Sequence, residues 1–332
     1  MAAPPRVWVL ADDRPGNANQ ALGVAEALGW PFELKRIRYG PLANLPNFLL
    51  GARLLGLDDL ARRSLQPPWP DLAIAAGRRT APVARWLRRQ RSDVFLVQLM
   101  WPGRATGLDL IVVPEHDRRL AAPHLITTLG APHRVAPAVL AQARVRLAPA
   151  LAHLPRPFVA TLIGGTSKHA PFTSDDAVAA ARSAATLAFQ RGGSVLISTS
   201  RRTGGAAEDA LEELDLPAPV WLHRFSRGGE NPYLGLLGHA DAVVVTADSA
   251  SMVTEACATG RPVFLVRPRA WRGGKLDRLH ARLSELGHLR DPAAGWPAAS
   301  PSPLLPQEDV ARVIRRRMGS RPPMVASPPP TR

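Results

Sequence analysis

Ser249, Ser251 and Glu255 follow a β-branched run in the segment DAVVVTADSASMVTEACATGRPVFLV, residues 241–266. Residues 242–246 have the composition of a strand buried on both faces. Ser249 and Ser251 are both good helix N-caps, and Glu255 lies four positions beyond Ser251. Gly260 stops the helix, and Pro262 opens a second apolar run at residues 263–266. A helix start offers unpaired N–H groups and the positive end of a dipole, so this loop suits an anion. Glu255, on the helix's first turns, could accept hydrogen bonds from the paired hydroxyls of a sugar. A capped helix in an ordinary α/β sheet, with a solvated Glu255, describes the same residues.

Two further loops carry phosphate chemistry. Gly164-Gly165-Thr166-Ser167-Lys168 follows the apolar run at 158–163. Glycines let a backbone approach a phosphate, hydroxyls donate to it, and Lys168 supplies charge. The loop matches neither the P-loop nor the Rossmann glycine pattern, and an ordinary glycine turn reads the same way. Ser200 and Arg201 close the next strand, where paired arginines could clamp a phosphate and Gly204-Gly205 leave the loop free to move. Phe225 precedes another glycine-rich loop. Its alternative is a place in the core.

In the first half, Asp12, Asp13, Gly16 and Asn17 join a strand to a helix. Either carboxylate could serve as a general base if its surroundings raise its pKa. His116, in Glu115-His116-Asp117, is a second candidate base and equally a structural hydrogen-bonder. No two aspartates are separated by one residue, so a metal-binding Asp-x-Asp is missing. No zinc spacing is present either. The expectation is metal-independent chemistry with no cofactor, the diphosphate being neutralised by helix dipoles and basic side chains. Tyr39 and Tyr233 are followed four positions later by Ala43 and Leu237, so the Tyr–Lys pair of short-chain epimerases is absent.

The segment 241–266 resembles the second domain of GT-B glycosyltransferases, with a close likeness to the bacterial enzyme that adds N-acetylglucosamine to lipid I. A whole-chain likeness is to the mitochondrial-fission "elongated mitochondria" family, carried by blocks at 11–28, 77–89, 98–103, 112–117, 128–135, 162–172, 198–205 and 230–241. The resemblance implies a nucleotide-sugar donor whose ribose meets Glu255, whose diphosphate meets 164–168, and whose base lies near Phe225. It also implies a non-catalytic alternative, because the plant branch of the family is associated with recruiting fission machinery. Bacterial members have been labelled epimerases, which the missing Tyr–Lys pair disfavours. The lipid I enzyme has a histidine-bearing loop where this chain has Asp12–Asn17, so the base is open.

These sites require an α/β frame. Residues 7–11, 32–38, 72–76, 94–99 and 108–113 read as strands, with helices at 18–28 and 81–91 and an interrupted helix over 45–63. Prolines break the pattern at 147–157, and it restarts with a strand at 158–163 and a helix at 174–190. The fold expected is two Rossmann-like parallel-sheet domains facing a cleft, GT-B-like. Residues 1–150 form the acceptor side and 151–319 the nucleotide-sugar side, with a disordered proline-rich tail at 320–332. At 332 residues the chain is long enough for both.

Composition narrows the partners. No apolar run approaches the roughly 18 residues of a membrane span, and no secretory signal is visible. The expected location is the cytoplasm, peripheral at the inner face of a membrane. Cys257 is the sole cysteine, expected to be buried and inert. The net charge is +15, with 42 bases against 27 acids, and only Lys35, Lys168 and Lys275 are lysines. Aromatics make up only 5%, too few to stack bases along such a surface, so nucleic acid is the weaker fit. An anionic membrane surface or a lipid-linked acceptor fits the charge better. The sequence carries no signal of oligomeric state.

Overall fold

The computed structural model describes residues 4–168 and 170–320. Residues 321–332, within the tail expected to be disordered, lie outside them. The described chain forms two compact units. The first runs to Val113, takes in Leu120–Thr128 and resumes at Pro306; the second comprises Pro114–Arg119 and Leu129–Leu305. The second unit therefore starts upstream of the proline-rich stretch 147–157.

In the first unit, β1 (Val7–Ala11), α1 (Pro15–Leu28), β2 (Phe32–Arg36), α2 (Asn47–Leu50), α3 (Asp59–Ser64), β3 (Leu72–Ala76), α4 (Ala81–Gln90), β4 (Phe95–Leu99), β5 (Leu110–Pro114) and β6 (Leu125–Thr128) follow in order. The sheet order is β2-β1-β3-β4-β5-β6, and β2 through β5 pair in parallel. Alternate residues of each strand face opposite layers. Val7, Val9, Leu72 and Ile74 pack on one face against α1, while Trp8, Leu10, Ala73 and Ala75 pack on the other against α4.

Two local departures from the sequence reading have simple causes. The first helix begins at Pro15, not Ala18, because proline's fixed φ suits the first helical position and its missing N–H costs nothing there. Gly16 and Asn17 thus belong to the helix's first turn. The stretch 45–63 yields only the short α2 and α3, with Gly51 at φ 58 ending α2.

The second unit carries α5 (Pro137–Leu151), β7 (Phe158–Leu162), α6 (Ser174–Phe189), β8 (Ser194–Ser198), α7 (Gly205–Glu212), β9 (Val220–His223), α8 (Tyr233–His239), β10 (Ala242–Thr246), α9 (Ala250–Cys257), β11 (Val263–Val266), α10 (Lys275–Glu285) and β12 (Leu289–Arg290). Its six strands run parallel in the order β12-β11-β10-β7-β8-β9. Helices α5, α8, α9 and α10 cover one face, and α6 and α7 the other. Helix α5 was not anticipated; it contains Pro149 and packs on α8.

The last helix, α11 (Pro306–Gly319), returns to the first unit, burying Val310, Ala311 and Ile314 in the α1 face of that sheet. Each sheet has one point where the chain reverses its direction of strand addition. It lies between β1 and β3 in the first unit and between β7 and β10 in the second. Ligands of open α/β sheets bind at the carboxyl ends of strands at such points.

Candidate functional site

At the second unit's reversal point, Gly164 follows β7 and Asp248 follows β10. The Gly164 N–H donates to Thr246 Oγ1 at 2.8 Å and the Gly165 N–H to Asp248 Oδ2 at 3.1 Å. Asp248 is buried, accepts a hydrogen bond from Thr246 Oγ1 at 2.7 Å, and pairs with Arg202 Nη2 at 2.7 Å. Arg202 also donates to the carbonyls of Gly165 and Thr166, at 3.1 and 3.3 Å. Ser200 Oγ donates to Gly164 O at 2.7 Å and accepts from the Arg202 N–H. A Cβ on Gly164 would overlap the Asp248 carboxylate, and one on Gly165 would overlap the Arg202 backbone. The sequence reading assigned this loop's glycines to phosphate approach. Here they permit close approach of protein to protein, and both N–H groups already have partners.

The basic pair beside this loop divides unequally. Arg202 is drawn onto Asp248 and the glycine loop, forming a latch, whereas Arg201 is exposed. Thr166 and Lys168 are exposed as well, and Ser167, half-buried, donates its N–H to Ala170 O.

Ser249 caps α9, accepting from the Met252 N–H at 3.4 Å, so Ser251 is a residue of the first turn and not the cap. Glu255 stands on the next turn. The sequence left it open between a ribose contact and a solvated side chain. The structure half-buries it and directs Tyr233 Oη onto its Oε2 at 2.6 Å. Burial pushes the Glu255 carboxyl up to about 7, against the lowering effect of that hydrogen bond. Beside Tyr233, a pocket of about 200 Å³ opens between α5, Asn231–Pro232 and strand β9. Trp221 and His223 line it with near-parallel rings, 6.4 Å between centroids and 12° between planes.

Phe225 is 43% exposed, not a core residue. Its N–H donates to Thr199 Oγ1 at 2.8 Å, and the preceding Arg224 is ion-paired with Glu208, Asp209 and Glu212 of α7. The ring is therefore presented outward from an anchored backbone. Cys257 is buried, and burial pushes its thiol up to about 12, which makes it inert.

At the first unit's reversal point, Asp12 is buried and Asp13 exposed. Arg79 pairs with both, and Asn17 Nδ2 donates to Asp12. The Arg79 guanidinium lies over the Tyr39 ring, 4.0 Å from its centroid. Gly77 has φ 86, and a Cβ there would overlap Asn17. Burial acts to raise the Asp12 carboxyl, but hydrogen bonds from Asp13 and Asn17 and the Arg79 charge bring it below its ordinary value. Asp13 shifts upward, through desolvation and the carboxyl–carboxyl hydrogen bond to Asp12. Gly16 has open space around it.

His116, in the second unit, is buried, and desolvation pushes its imidazole down to about 4. Its carbonyl accepts two hydrogen bonds from Arg278, at 2.7 and 3.1 Å, and Lys275 pairs with Asp117 at 2.8 Å. A neutral, weakly basic imidazole is a poor proton acceptor.

Sequence reasoning missed Asp248, read Arg202 as half of a phosphate-clamping pair and not as the partner of Asp248, and did not foresee the contacts of Tyr233 and Arg79. Asp248 had a usable signal, as a carboxylate directly before a helix cap and at the end of a buried strand. Tyr233 had only rarity, being one of two tyrosines.

The model of the family described as mitochondrial fission ELM1 matches residues 15–318. The mitochondrial fission protein ELM1 of Arabidopsis thaliana is 30% identical over 304 residues, covering 82% of this chain and 70% of that protein. Among solved structures, MurG of Acinetobacter baumannii aligns with a TM-score of 0.50 at 15% identity, over 94% of this chain and 100% of that one. The UDP-GlcNAc 2-epimerase of Methanocaldococcus jannaschii, in complex with UDP-GlcNAc and UDP, aligns with a TM-score of 0.50 at 12% identity, over 95% and 100%. At these identities the structural likeness establishes the fold, two Rossmann-like units of the GT-B type.

Proposed function

The chain belongs to the mitochondrial fission ELM1 family, and from that premise we propose that it binds a nucleotide sugar through its second unit and acts as a metal-independent, GT-B-like glycosyltransferase. The observation that carries this reading is Glu255. A half-buried carboxylate held by Tyr233, one turn into the helix that leaves a reversal point, is costly to keep unless it has a ligand to meet. Its free acceptor capacity suits the two hydroxyls of a ribose.

The other groups follow from their places. The α9 start, with Ser249 and Ser251, and the exposed Lys168 and Arg201 neutralise the diphosphate. The outward ring of Phe225 offers a face for the base. Asp13, exposed and shifted upward, is the general base of the transfer in this reading. The similar epimerase is a UDP-GlcNAc 2-epimerase, and its structure holds UDP-GlcNAc and UDP. The missing Tyr–Lys pair speaks only against the short-chain arrangement, so a nucleotide-sugar epimerase on this fold shares the donor site proposed here.

Isothermal titration with UDP-GlcNAc, UDP and uridine, together with 2′-deoxy-UDP, tests the site. UDP should bind more tightly than 2′-deoxy-UDP, and Glu255→Gln should remove that difference. Equal affinity for the two in the unmutated protein would sink the ribose role.

One observation favours a second reading, a non-catalytic adaptor acting at a membrane surface or on a protein partner. The Asp248–Arg202 latch occupies the glycine loop that a diphosphate would use. No detectable binding of any nucleotide or nucleotide sugar would make that reading the better one.

A further inference from the structure

The first unit carries a second basic feature, apart from Asp12, Asp13 and Arg79. Two adjoining pockets, of about 390 and 380 Å³, share Asn47, Arg85 and Arg104 in their walls. Arg88 and Arg89 complete the first pocket and Arg78 the second. Among the described residues lining them there is no acid. Helix α4 projects Arg85, Arg88 and Arg89 from one side because they lie three and four residues apart. The loop after β4, which starts from Met100 at the unfavourable φ of 67, brings Arg104 opposite.

How these guanidiniums are held distinguishes them from a solvated charge run. Arg85 donates to the Thr106 and Arg104 carbonyls, Arg78 to Leu45 O, and Arg89 to Ala52 O. Among the described residues only Arg88 of these has a carboxylate partner, Asp109. Carbonyl acceptors fix the orientation of a guanidinium without cancelling its charge, and each uses only part of its five donors. Burial, and after it the neighbouring Arg104, lower the Arg85 guanidinium from its ordinary value. Apart from Arg88, these positive charges are pre-placed and, among the described residues, have no carboxylate partner.

The rim is apolar. Leu42, Leu45, Leu49 and Leu55 are 46, 37, 52 and 43% exposed in the segment around α2, whose Asn47 reaches into the groove. Its amide donates to Arg78 O and Pro102 O, at 2.8 and 3.0 Å, tying the leucine segment to both arginine loops. Exposed leucines in a segment tied to these oriented arginines match an amphiphile, its phosphate at the guanidiniums and its acyl chains at the leucines.

We propose that this groove on the first unit is a binding site for the phosphate of an anionic lipid headgroup, with the leucine segment entering the acyl boundary. It extends the reading above by naming a surface for the membrane. It stands independently of nucleotide binding by the second unit, since its test uses no nucleotide.

The test is co-sedimentation of the full chain with vesicles of phosphatidylcholine alone or with 30 mol% phosphatidylglycerol. Binding should require the anionic lipid. Arg89→Glu/Arg104→Glu should reduce the bound fraction at least tenfold, and Leu45→Ser/Leu49→Ser several-fold, with unchanged circular dichroism and thermal midpoint. Arg282→Glu/Arg290→Glu removes the same charge from two exposed residues of the second unit and should cost less than twofold. Equal losses for both charge-reversal pairs would show non-specific attraction and overturn the site. Saturable binding of inorganic pyrophosphate at the groove without vesicle binding would overturn the lipid assignment, and binding of neither would overturn the whole proposal.

Discussion

Tyr233 donates its phenol hydrogen to Glu255 Oε2 at 2.6 Å, joining the first turn of α8 to the second turn of α9. The Tyr233 phenol itself is shifted well above its ordinary value, first by burial and then by the Glu255 charge. Two groups that would each be costly to bury alone thus share one hydrogen bond. The carboxylate keeps its remaining acceptor positions, which is what a ribose contact needs.

Removing that donor should be felt mainly when Glu255 is ionised. Tyr233→Phe leaves the ring in place and strips the bond that holds the Glu255 carboxyl down, so this carboxyl should rise above about 7. Hydrogen bonds to charged groups contribute roughly 1.5–3 kcal/mol, and a half-buried site lies toward the lower end. Urea unfolding should show a loss of about 1.5 kcal/mol at pH 8 and a smaller one at pH 5. Equal losses at both pH values would mean the ring packing, not the bond, was disturbed.

Glu255→Gln should remove this carboxyl's part of the pH profile. The folded-state carboxyl is raised from 4.5 to about 7, so the folded protein binds a proton that the unfolded chain releases between those values. The stability associated with that proton is fully present below pH 4.5 and is lost as pH rises through 7. Glutamine does not titrate. The thermal midpoint of the mutant relative to the unmutated protein should therefore climb between pH 5 and pH 8, and a flat difference would contradict the raised carboxyl.

Much of this frame could be read from the residues. The buried runs at 7–11, 72–76, 158–162 and 242–246 announce parallel strands, since only a strand covered on both faces is apolar at every position. Helix α5 was hidden, because Pro149 and its neighbours look like a break until α8 is there to pack on it. In the site, helix start and capping serine were legible because capping is local chemistry. What Gly164 and Gly165 are for was not. Their neighbours, Asp248 and Arg202, are distant in sequence, and a glycine that admits a phosphate is spelled the same as one that admits a carboxylate. For the same reason the partition of Arg201 and Arg202 was invisible: adjacent residues of one type diverge only once the loop is closed.

That partition predicts unequal mutants. Arg202→Ala leaves the buried Asp248 carboxylate without its cation, and breaking such pairs typically costs about 3–5 kcal/mol. Arg202 is itself one-third exposed, so water replaces part of the loss and about 2–3 kcal/mol is expected. Arg201→Ala should stay within about 0.5 kcal/mol, as exposed positions do. Chemical denaturation of both mutants at pH 7 checks the ratio. Comparable losses would place Arg201 in the latch as well.

Gly164→Ala tests whether the latch is a matter of space. The new methyl would overlap the Asp248 carboxylate, which has nowhere to go while Arg202, Thr246 and the Gly165 N–H hold it. Overpacking at a tight site costs about 1–3 kcal/mol, and here the carboxylate would also lose hydrogen bonds as it moved. Gly164→Ala alone should therefore destabilise by about 3 kcal/mol. Asp248→Ala alone should also destabilise, because it orphans the Gly165 N–H and frees Arg202. The double mutant is the informative one. With the carboxylate gone, the three atoms nearest the methyl at position 164 are removed, so the two losses should fall short of additivity by at least 1 kcal/mol, a coupling typical of residues in contact. Additive losses would mean that the glycine serves some purpose other than clearing Asp248. The same double mutant should bind UDP no less tightly than Asp248→Ala if the glycine amides are not the phosphate contact, and more weakly if they are.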